Sequence, residues 1–252
     1  MQRKLAESEY YDGYTRNRGR YEVHPEKEYR RILLESGILS EKHCLTLDLG
    51  CGTGAFGLRL ARIGFQMLGI DISPNAIRLA SKIAREQGLD ADFVVGDIEK
   101  MPFQDSAFQF VFCGFVLHHV PHMLPQVLQQ INHVVQDDGK IFLCEPNAHN
   151  LSCVVQYNLG KCRTPNEKPI DTKQLTTLLS ATGFGCIRFK DIGDVEHLQT
   201  DSPSRLRNAL RQVARIILRS ANKAPLIPGA YFVMEATKKR TDNSVTKSAK
   251  LF

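Results

Sequence analysis

Ten residues, DLGCGTGAFG (48–57), constrain the fold of this chain more than any other stretch. They join a short apolar run to a segment with helical character. Glycines so closely spaced allow positive φ and let backbone N–H groups approach a ligand, while the N-terminus of the following helix favours negative charge. The unit implied is strand, glycine loop, helix. Alone it is ambiguous, because Gly52-Thr53-Gly54-Ala55-Phe56-Gly57 also satisfies the G-x-G-x-x-G pattern of dinucleotide-binding enzymes.

The rest of the chain repeats this rhythm. CLTLDLG (44–50) is nearly continuous in apolar character, as expected of a parallel strand buried on both faces. Helix is expected over 54–62 and strand over 66–71. Ser73-Pro74 then caps a helix that Gly88 ends. Further strands are expected at 91–96, 108–115 and 140–146, with a helix over 122–136 joining the last two. Earlier, a helix opens near Pro25 and stops at Gly37. Later, Asp171-Thr172 caps a helix ending at Gly183, strands follow at 184–191 and 230–237, and Ser202-Pro203 opens a helix between them. Such alternation implies α/β architecture, a mainly parallel sheet with helices on both faces. At 252 residues, 42% hydrophobic and 24% charged, the chain suits one such domain with insertions or a small cap.

Three features separate the possible ligands. Asp48 stands at the loop entry, where a carboxylate would repel a pyrophosphate but attract a cation such as S-adenosylmethionine, with its ammonium and sulfonium. Asp71, which closes the next strand, can accept both ribose hydroxyls of either cofactor and does not discriminate. Asp97 follows the third strand and can accept a bond from an adenine amino group, with Ile72 and Ile98 placed to sandwich the base. The order DLGCGTG, GIDIS, GDIEKMPFQDSAFQFVFCGFVLHHV and CEPN resembles the class I S-adenosylmethionine-dependent methyltransferases, in the style of the ubiquinone-biosynthesis and small-molecule branch. The resemblance covers 44–146 and extends more loosely over 171–237.

The resemblance implies a Rossmann-like, seven-stranded, mostly parallel sheet whose last strand is antiparallel, carrying a small helical cap. With the polar segments that fall outside the resemblance, the chain is expected to divide into an N-terminal arm or lid (1–24), a methyltransferase domain (25–237) with its cofactor half at 44–146 and acceptor-side insertions at 147–170 and 192–225, and a basic disordered tail (238–252). The resemblance also implies roles: Gly50, Cys51 and Gly52 against the methionine moiety, Asp71 on the ribose, Asp97 and Ile98 on the adenine, and Cys113 to Phe115 near the methyl group. Two positions depart from the family pattern: Gln109 replaces an aspartate early in the fourth strand, and the turn before the fifth reads His133-Val134-Val135…Asp138-Gly139-Lys140.

Methyl transfer from a sulfonium is an in-line displacement, so alignment and exclusion of water dominate, and a base is needed only when the nucleophile arrives protonated. His118, His119 and Glu145 are the candidates, against a competing reading of the histidines as local caps or packing and of Glu145 as part of a turn around Pro146. Asn147 and His149 are candidate substrate residues, with a turn around Pro146 as the alternative. Tyr10, Tyr11, Tyr14 and Tyr21 could form an aromatic lid. Seven cysteines without a C-x-x-C pair argue against a zinc site or disulfide framework, and no metal is expected.

The net charge of +6 is regional. Residues 203–223 carry +6 and 238–252 carry +4, leaving −4 for the rest. In SRLRNALRQVARIILRS (204–220), Leu206, Leu210, Val213 and Ile217 form an apolar stripe, and Arg207, Arg211, Arg215 and Arg219 a basic row. This helix is read as a solvated face with a packed stripe, or as a cap for a phosphorylated acceptor or an anionic membrane surface. No run approaches the ~20 apolar residues of a membrane span and no signal peptide is visible, so a cytoplasmic location is expected. The leading expectation is methylation at O or N of a small molecule, lipid-like or phosphorylated. Alternatives are a nucleic-acid methyltransferase, a non-catalytic cofactor-binding module, and lastly a dinucleotide oxidoreductase. Against nucleic acid, Cys113-Gly114-Phe115 stands where an Asn/Asp-Pro-Pro-Tyr motif would be.

Overall fold

Seven strands form one sheet in the order β3-β2-β1-β4-β5-β7-β6. The computed structural model describes residues 8–13, 15, 26–40, 44–150, 153, 154, 157, 167–192 and 230–240. The expected helix from Ser202, Tyr14, Tyr21, Cys162 and tail residues 241–252 lie outside these.

The strands are β1 (Leu45–Leu49), β2 (Gln66–Asp71), β3 (Ala91–Val95), β4 (Phe108–Gly114), β5 (Val135–Pro146), β6 (Phe184–Ile192) and β7 (Tyr231–Lys238). The helices are α1 (Glu26–Ser36), α2 (Gly57–Arg62), α3 (Pro74–Glu86), α4 (Leu124–Val134) and α5 (Thr172–Ala181). The first five strands are mutually parallel, and β7 lies antiparallel between β5 and β6. The last strand is therefore the antiparallel one, as expected.

Side-chain alternation divides the core between the two faces. Leu47, Leu49, Val111, Cys113, Ile141 and Leu143 face α4 and α5, where Val127, Leu128, Ile131, Leu175 and Leu179 are fully buried. Phe110, Phe112, Phe142 and Cys144 face the other way, against Tyr29, Ile32 and Leu33 of α1, Phe56 just before α2 and Leu60 within it. Ile77, Ala80 and Ala84 of α3 close a third cluster with Cys51, Leu58 and Phe93. The Arg59 guanidinium lies 4.1 Å from the Tyr29 ring centroid, joining α2 to α1. Among the described residues, no helix is long and apolar enough to cross a membrane.

Two boundaries differ from those read in the sequence. Helix α2 opens at Gly57 rather than Gly54, because the loop continues through Gly54 at φ +80°. Strand β5 opens at Val135, five residues early, since Val135 pairs with Phe108 while Lys140 pairs with Phe110. The intervening residues bulge outward through Asp138 at φ +62°. A Cβ on Gly139 would lie 2.8 Å from both the Gln109 and Gln136 carbonyl oxygens, so the Asp138-Gly139 pair belongs to the bulge.

Candidate functional site

Every residue of the candidate cofactor cradle lies at the carboxyl edge of β1, β2 and β3, where open α/β sheets bind ligands. The loop after β1 takes positive φ at Gly50, Gly52 and Gly54. At Gly50 a Cβ would stand 2.6 Å from a Val116 methyl, so this glycine brings the loop against the turn after β4. At Gly52 a Cβ would meet nothing within 4 Å. The space above Gly52 is open, as a backbone cradle requires. Cys51 contributes its main chain: its N–H donates to the Ile70 carbonyl, while its thiol is buried beside Phe93 and raised in pKa by that burial.

Two carboxylates underpin this loop. Asp71 accepts from the Gly52 N–H at 2.8 Å through one oxygen and from the Ser73 N–H at 2.9 Å through the other. A carboxylate offers about four lone-pair positions, so two remain for a diol. Burial raises the Asp71 pKa, and the two backbone N–H groups oppose that rise. Asp48 is buried and accepts from the Gly57 N–H at 2.9 Å, at the first turn of α2. Burial pushes its pKa up to about 7, the Gly57 N–H lowers it, and the neighbouring Asp71 adds repulsion. Gly57 is required here, because its Cβ would fall 2.8 Å from the Asp48 oxygen.

The edge continues through half-buried Ile72, Asp97 and Ile98. Asp97 accepts from the Glu99 N–H at 2.9 Å, which fixes the turn after β3. Residues 8–13 form a helical segment docked against this region. Ser8 donates to the Ile72 carbonyl at 3.0 Å, and Asp12 accepts from the Ser73 hydroxyl at 2.6 Å and the Asn75 N–H at 2.9 Å. Asp12 and Ser73 together cap α3, with Ser73 also accepting from the Ala76 N–H. Nothing in the sequence around Asp12 signals this role, because its partners lie about sixty residues away.

After β4 the chain turns sharply at Phe115, a non-glycine residue at φ +61°. The Phe115 ring stacks at 6.2 Å on Phe56 and meets Tyr231 edge-on at 5.2 Å. A single 3-10 turn, Leu117–His119, follows. Glu145, fully buried, clamps it: one carboxylate oxygen accepts from the Val116 and Leu117 N–H groups at 2.8 and 2.7 Å, and the other lies 2.7 Å from His118 Nδ1. His118 is buried with its ring edge-on to Tyr157. The His119 ring lies 3.9 Å from that of His118 at a 39° tilt, meets Tyr11 edge-on at 5.7 Å, and brings Nδ1 to 3.0 Å from Glu167. Burial and His118 lower its pKa, against an opposing pull from Glu167 and Glu145.

Asn147 is buried in a turn: its side-chain amide donates to Asp191 at 2.8 Å, and its carbonyl oxygen accepts from the His149 N–H at 2.9 Å. His149 lies 3.5 Å from Asp171 at the start of α5. Cys113 is fully buried on the α4–α5 side of the sheet. The structure thus gathers Asp48, Gly50, Gly52, Asp71, His118, His119 and Glu145 around adjoining loops. It adds Asp12, Tyr157 and Glu167, none of which the sequence singled out.

A family model described as a methyltransferase domain matches residues 40–183. The sterol 4-C-methyltransferase strm-1 of Caenorhabditis elegans is 33% identical over 108 residues, covering 42% of this chain and 31% of that protein. The demethylmenaquinone methyltransferase of Lactobacillus johnsonii is 36% identical over 104 residues, covering 39% of this chain and 42% of that one. The chain thus spans less than half the length of these curated relatives. A putative sarcosine dimethylglycine methyltransferase from Galdieria sulphuraria superposes with a TM-score of 0.65 at 17% identity, over 92% of this chain and 98% of that one. At that identity the likeness speaks for the fold.

Proposed function

Since this chain belongs to the family of methyltransferase domains, we propose that it transfers a methyl group from S-adenosylmethionine to an oxygen or nitrogen atom of a small-molecule acceptor. The observation that carries this reading is Asp48. A buried carboxylate with its pKa pushed up to about 7 lacks a compensating positive charge, and it underlies a loop with open space above Gly52. A pyrophosphate there would deepen the deficit, whereas an ammonium and a sulfonium relieve it.

S-adenosylmethionine supplies an electrophilic methyl group on sulfur. The residues that would hold it are Gly50, Gly52 and the Cys51 main chain against the methionine moiety, Asp48 towards its ammonium, Asp71 at the ribose, and Asp97, Ile72 and Ile98 around the adenine. The arm (1–24) would close over the ribose side through Ser8 and Asp12. The acceptor would enter beside Phe115, Tyr231, His118 and His119, with the insertions at 147–170 and 192–225 completing its pocket. That aromatic wall favours an apolar acceptor, and the relatives named for a sterol and a demethylmenaquinone support the same class.

The test is incubation of the purified protein with methyl-labelled S-adenosylmethionine and fractionated cell extract, with calorimetric titration of the cofactor alongside. Label in the small-molecule or lipid fraction is the expected result. Label in nucleic acid would overturn the acceptor class. Binding of a nicotinamide dinucleotide in place of S-adenosylmethionine would overturn the reading entirely.

A further inference from the structure

His118 and His119 are neighbours in sequence, yet they are held by different carboxylates from different parts of the chain. His118 Nδ1 faces Glu145, the end of β5, at 2.7 Å, and only 7% of the side chain is accessible. The Glu145 carboxylate also binds the turn's N–H groups, so this pair is consumed in holding the turn. His119 is the more open, with 18% of its side chain accessible, and its partner Glu167 comes from a segment in which the sequence showed no motif.

That segment is built into the site. The Lys168 N–H donates to the His118 carbonyl at 3.0 Å, which brings the preceding residue level with the next imidazole. Ile170 then bridges the end of β5: its N–H donates to the Pro146 carbonyl at 2.8 Å, and its carbonyl accepts from Ala148 at 3.0 Å. Glu167 is thereby placed by the residues that follow it, with its carboxylate 3.0 Å from His119 Nδ1. Tyr11, from the docked arm, braces the same ring edge-on. Among the described residues, His119 Nε2 makes no hydrogen bond.

We propose that Glu167 is a positioning residue that holds His119 in its Nδ1–H tautomer and so leaves Nε2 as the proton acceptor for a methyl acceptor that reacts through a hydroxyl group. The inference rests on the methyltransferase reading above. A carboxylate only accepts, so the shared proton stays on Nδ1 and the lone pair falls on Nε2. At 3.0 Å the Nδ1 contact does not meet hydrogen-bond geometry here, as is common for catalytic pairs in a ligand-free site, and the proposal has it tighten when the acceptor binds. Two imidazoles 3.9 Å apart oppose double protonation, and burial adds to that, so His119 is neutral near pH 7. Other ionisable groups around this pair are Asp71, Glu145, Tyr11 and Tyr157.

The chemistry discriminates between acceptors. A neutral amine brings a free lone pair, whereas a hydroxyl must lose its proton as it attacks. The hydroxyl proton passes to His119 Nε2, the oxygen forms the new O–CH3 bond, and the C–S bond breaks with its electron pair remaining on sulfur. The products are a methyl ether, S-adenosylhomocysteine and an imidazolium, which returns its proton to water.

The experiment is a long-range proton–nitrogen correlation spectrum of the whole protein labelled with 15N-histidine, with His119 assigned through His119→Gln. Expected at pH 7.5 are a protonated Nδ1 and a lone pair on Nε2. Glu167→Gln, which keeps the volume, is expected to lower the His119 pKa by about one unit and to mix the tautomers. An Nε2–H tautomer in the wild type, or a His119 titration unmoved by Glu167→Gln, would overturn the proposal. With the acceptor fraction found by labelling, His119→Gln should lower kcat at least about a hundredfold while S-adenosylmethionine binding by calorimetry is unchanged. Loss of activity on His118→Gln but not on His119→Gln would also overturn it. Failure of the cofactor titration in the wild type would instead refute the methyltransferase reading, which the tautomer spectrum does not test.

Discussion

Asp48→Asn separates the folding cost of a charge from its use in binding. The Asp48 carboxyl sits at about 7 rather than 3.8, mainly through burial. A shift of that size corresponds to about 4 kcal/mol of penalty on the ionised form. The folded pKa is raised, so between pH 3.8 and about 7 the folded state holds a proton that the unfolded state has lost. Stability of the ligand-free protein therefore falls as pH rises through this window, and the full penalty is present above pH 7. Asparagine keeps an oxygen for the Gly57 N–H and cannot ionise. At pH 8 the ligand-free variant should be more stable by up to about 4 kcal/mol, a ceiling of roughly 8 °C in Tm at this chain length. Near pH 4 the two proteins should melt together. Binding should show the opposite preference, because a cationic ligand favours the carboxylate. Wild-type affinity for S-adenosylmethionine should rise about tenfold per pH unit up to pH 7 and then level off, while the variant binds weakly with no such slope. Scanning calorimetry and isothermal titration across pH 4–8 test both arms. A variant destabilised at pH 8, or one that binds the cofactor like wild type, would refute the reasoning.

Gly50→Ala and Gly52→Ala both place a side chain at positive φ, but only Gly50→Ala meets a wall, 2.6 Å from Val116. Gly50→Ala should cost at least about 2 kcal/mol in chemical denaturation, while Gly52→Ala should cost about 1 kcal/mol and weaken cofactor binding more than it weakens the fold. Glu145→Ala strands the Val116 and Leu117 N–H groups and His118, and should destabilise by about 3–5 kcal/mol, read as a lowered denaturation midpoint. Lys238 donates to the Asn132 and Val135 carbonyls at 2.8 and 2.7 Å, closing the end of α4. Lys238→Met should lower stability by about 1–3 kcal/mol and speed amide exchange in the last turn of α4 without altering cofactor affinity.

The cofactor half was largely readable in the sequence because each parallel strand is a short apolar run between glycine or proline stops. Ser73-Pro74 and Asp171-Thr172 both cap helices in the structure as their residue types suggest. The early start of β5 was hidden, because Gln136-Asp137-Asp138-Gly139 reads as a turn when its bulged pairing with β4 is unseen. Glu145 reads as a candidate acid at a strand end, yet its oxygens are taken up by the turn after β4, a contact spanning nearly thirty residues. Asn147 likewise turns inward to Asp191. Glu167 had no local signal, because its meaning depends on the bond between Lys168 and His118. Pattern along the chain announces elements, whereas pairings between distant loops appear only when those loops meet.

The place of β7 between β5 and β6 has a consequence for synthesis of this protein. Strands β1 to β5 can pair in the order in which they are made, but among the described residues β6, which ends at Ile192, finds its sheet neighbour only in Tyr231–Lys238. At ribosomal rates of about 5–20 residues per second, the 46 residues from Ile192 to Lys238 take roughly 2–9 s. During that interval the nascent chain carries two further unsatisfied edges, those of β5 and β6 that β7 later fills, each able to capture a foreign strand. The final strand then closes both at once, so a ribosome stalled anywhere between them would hold a nearly complete cofactor half that is open to aggregation.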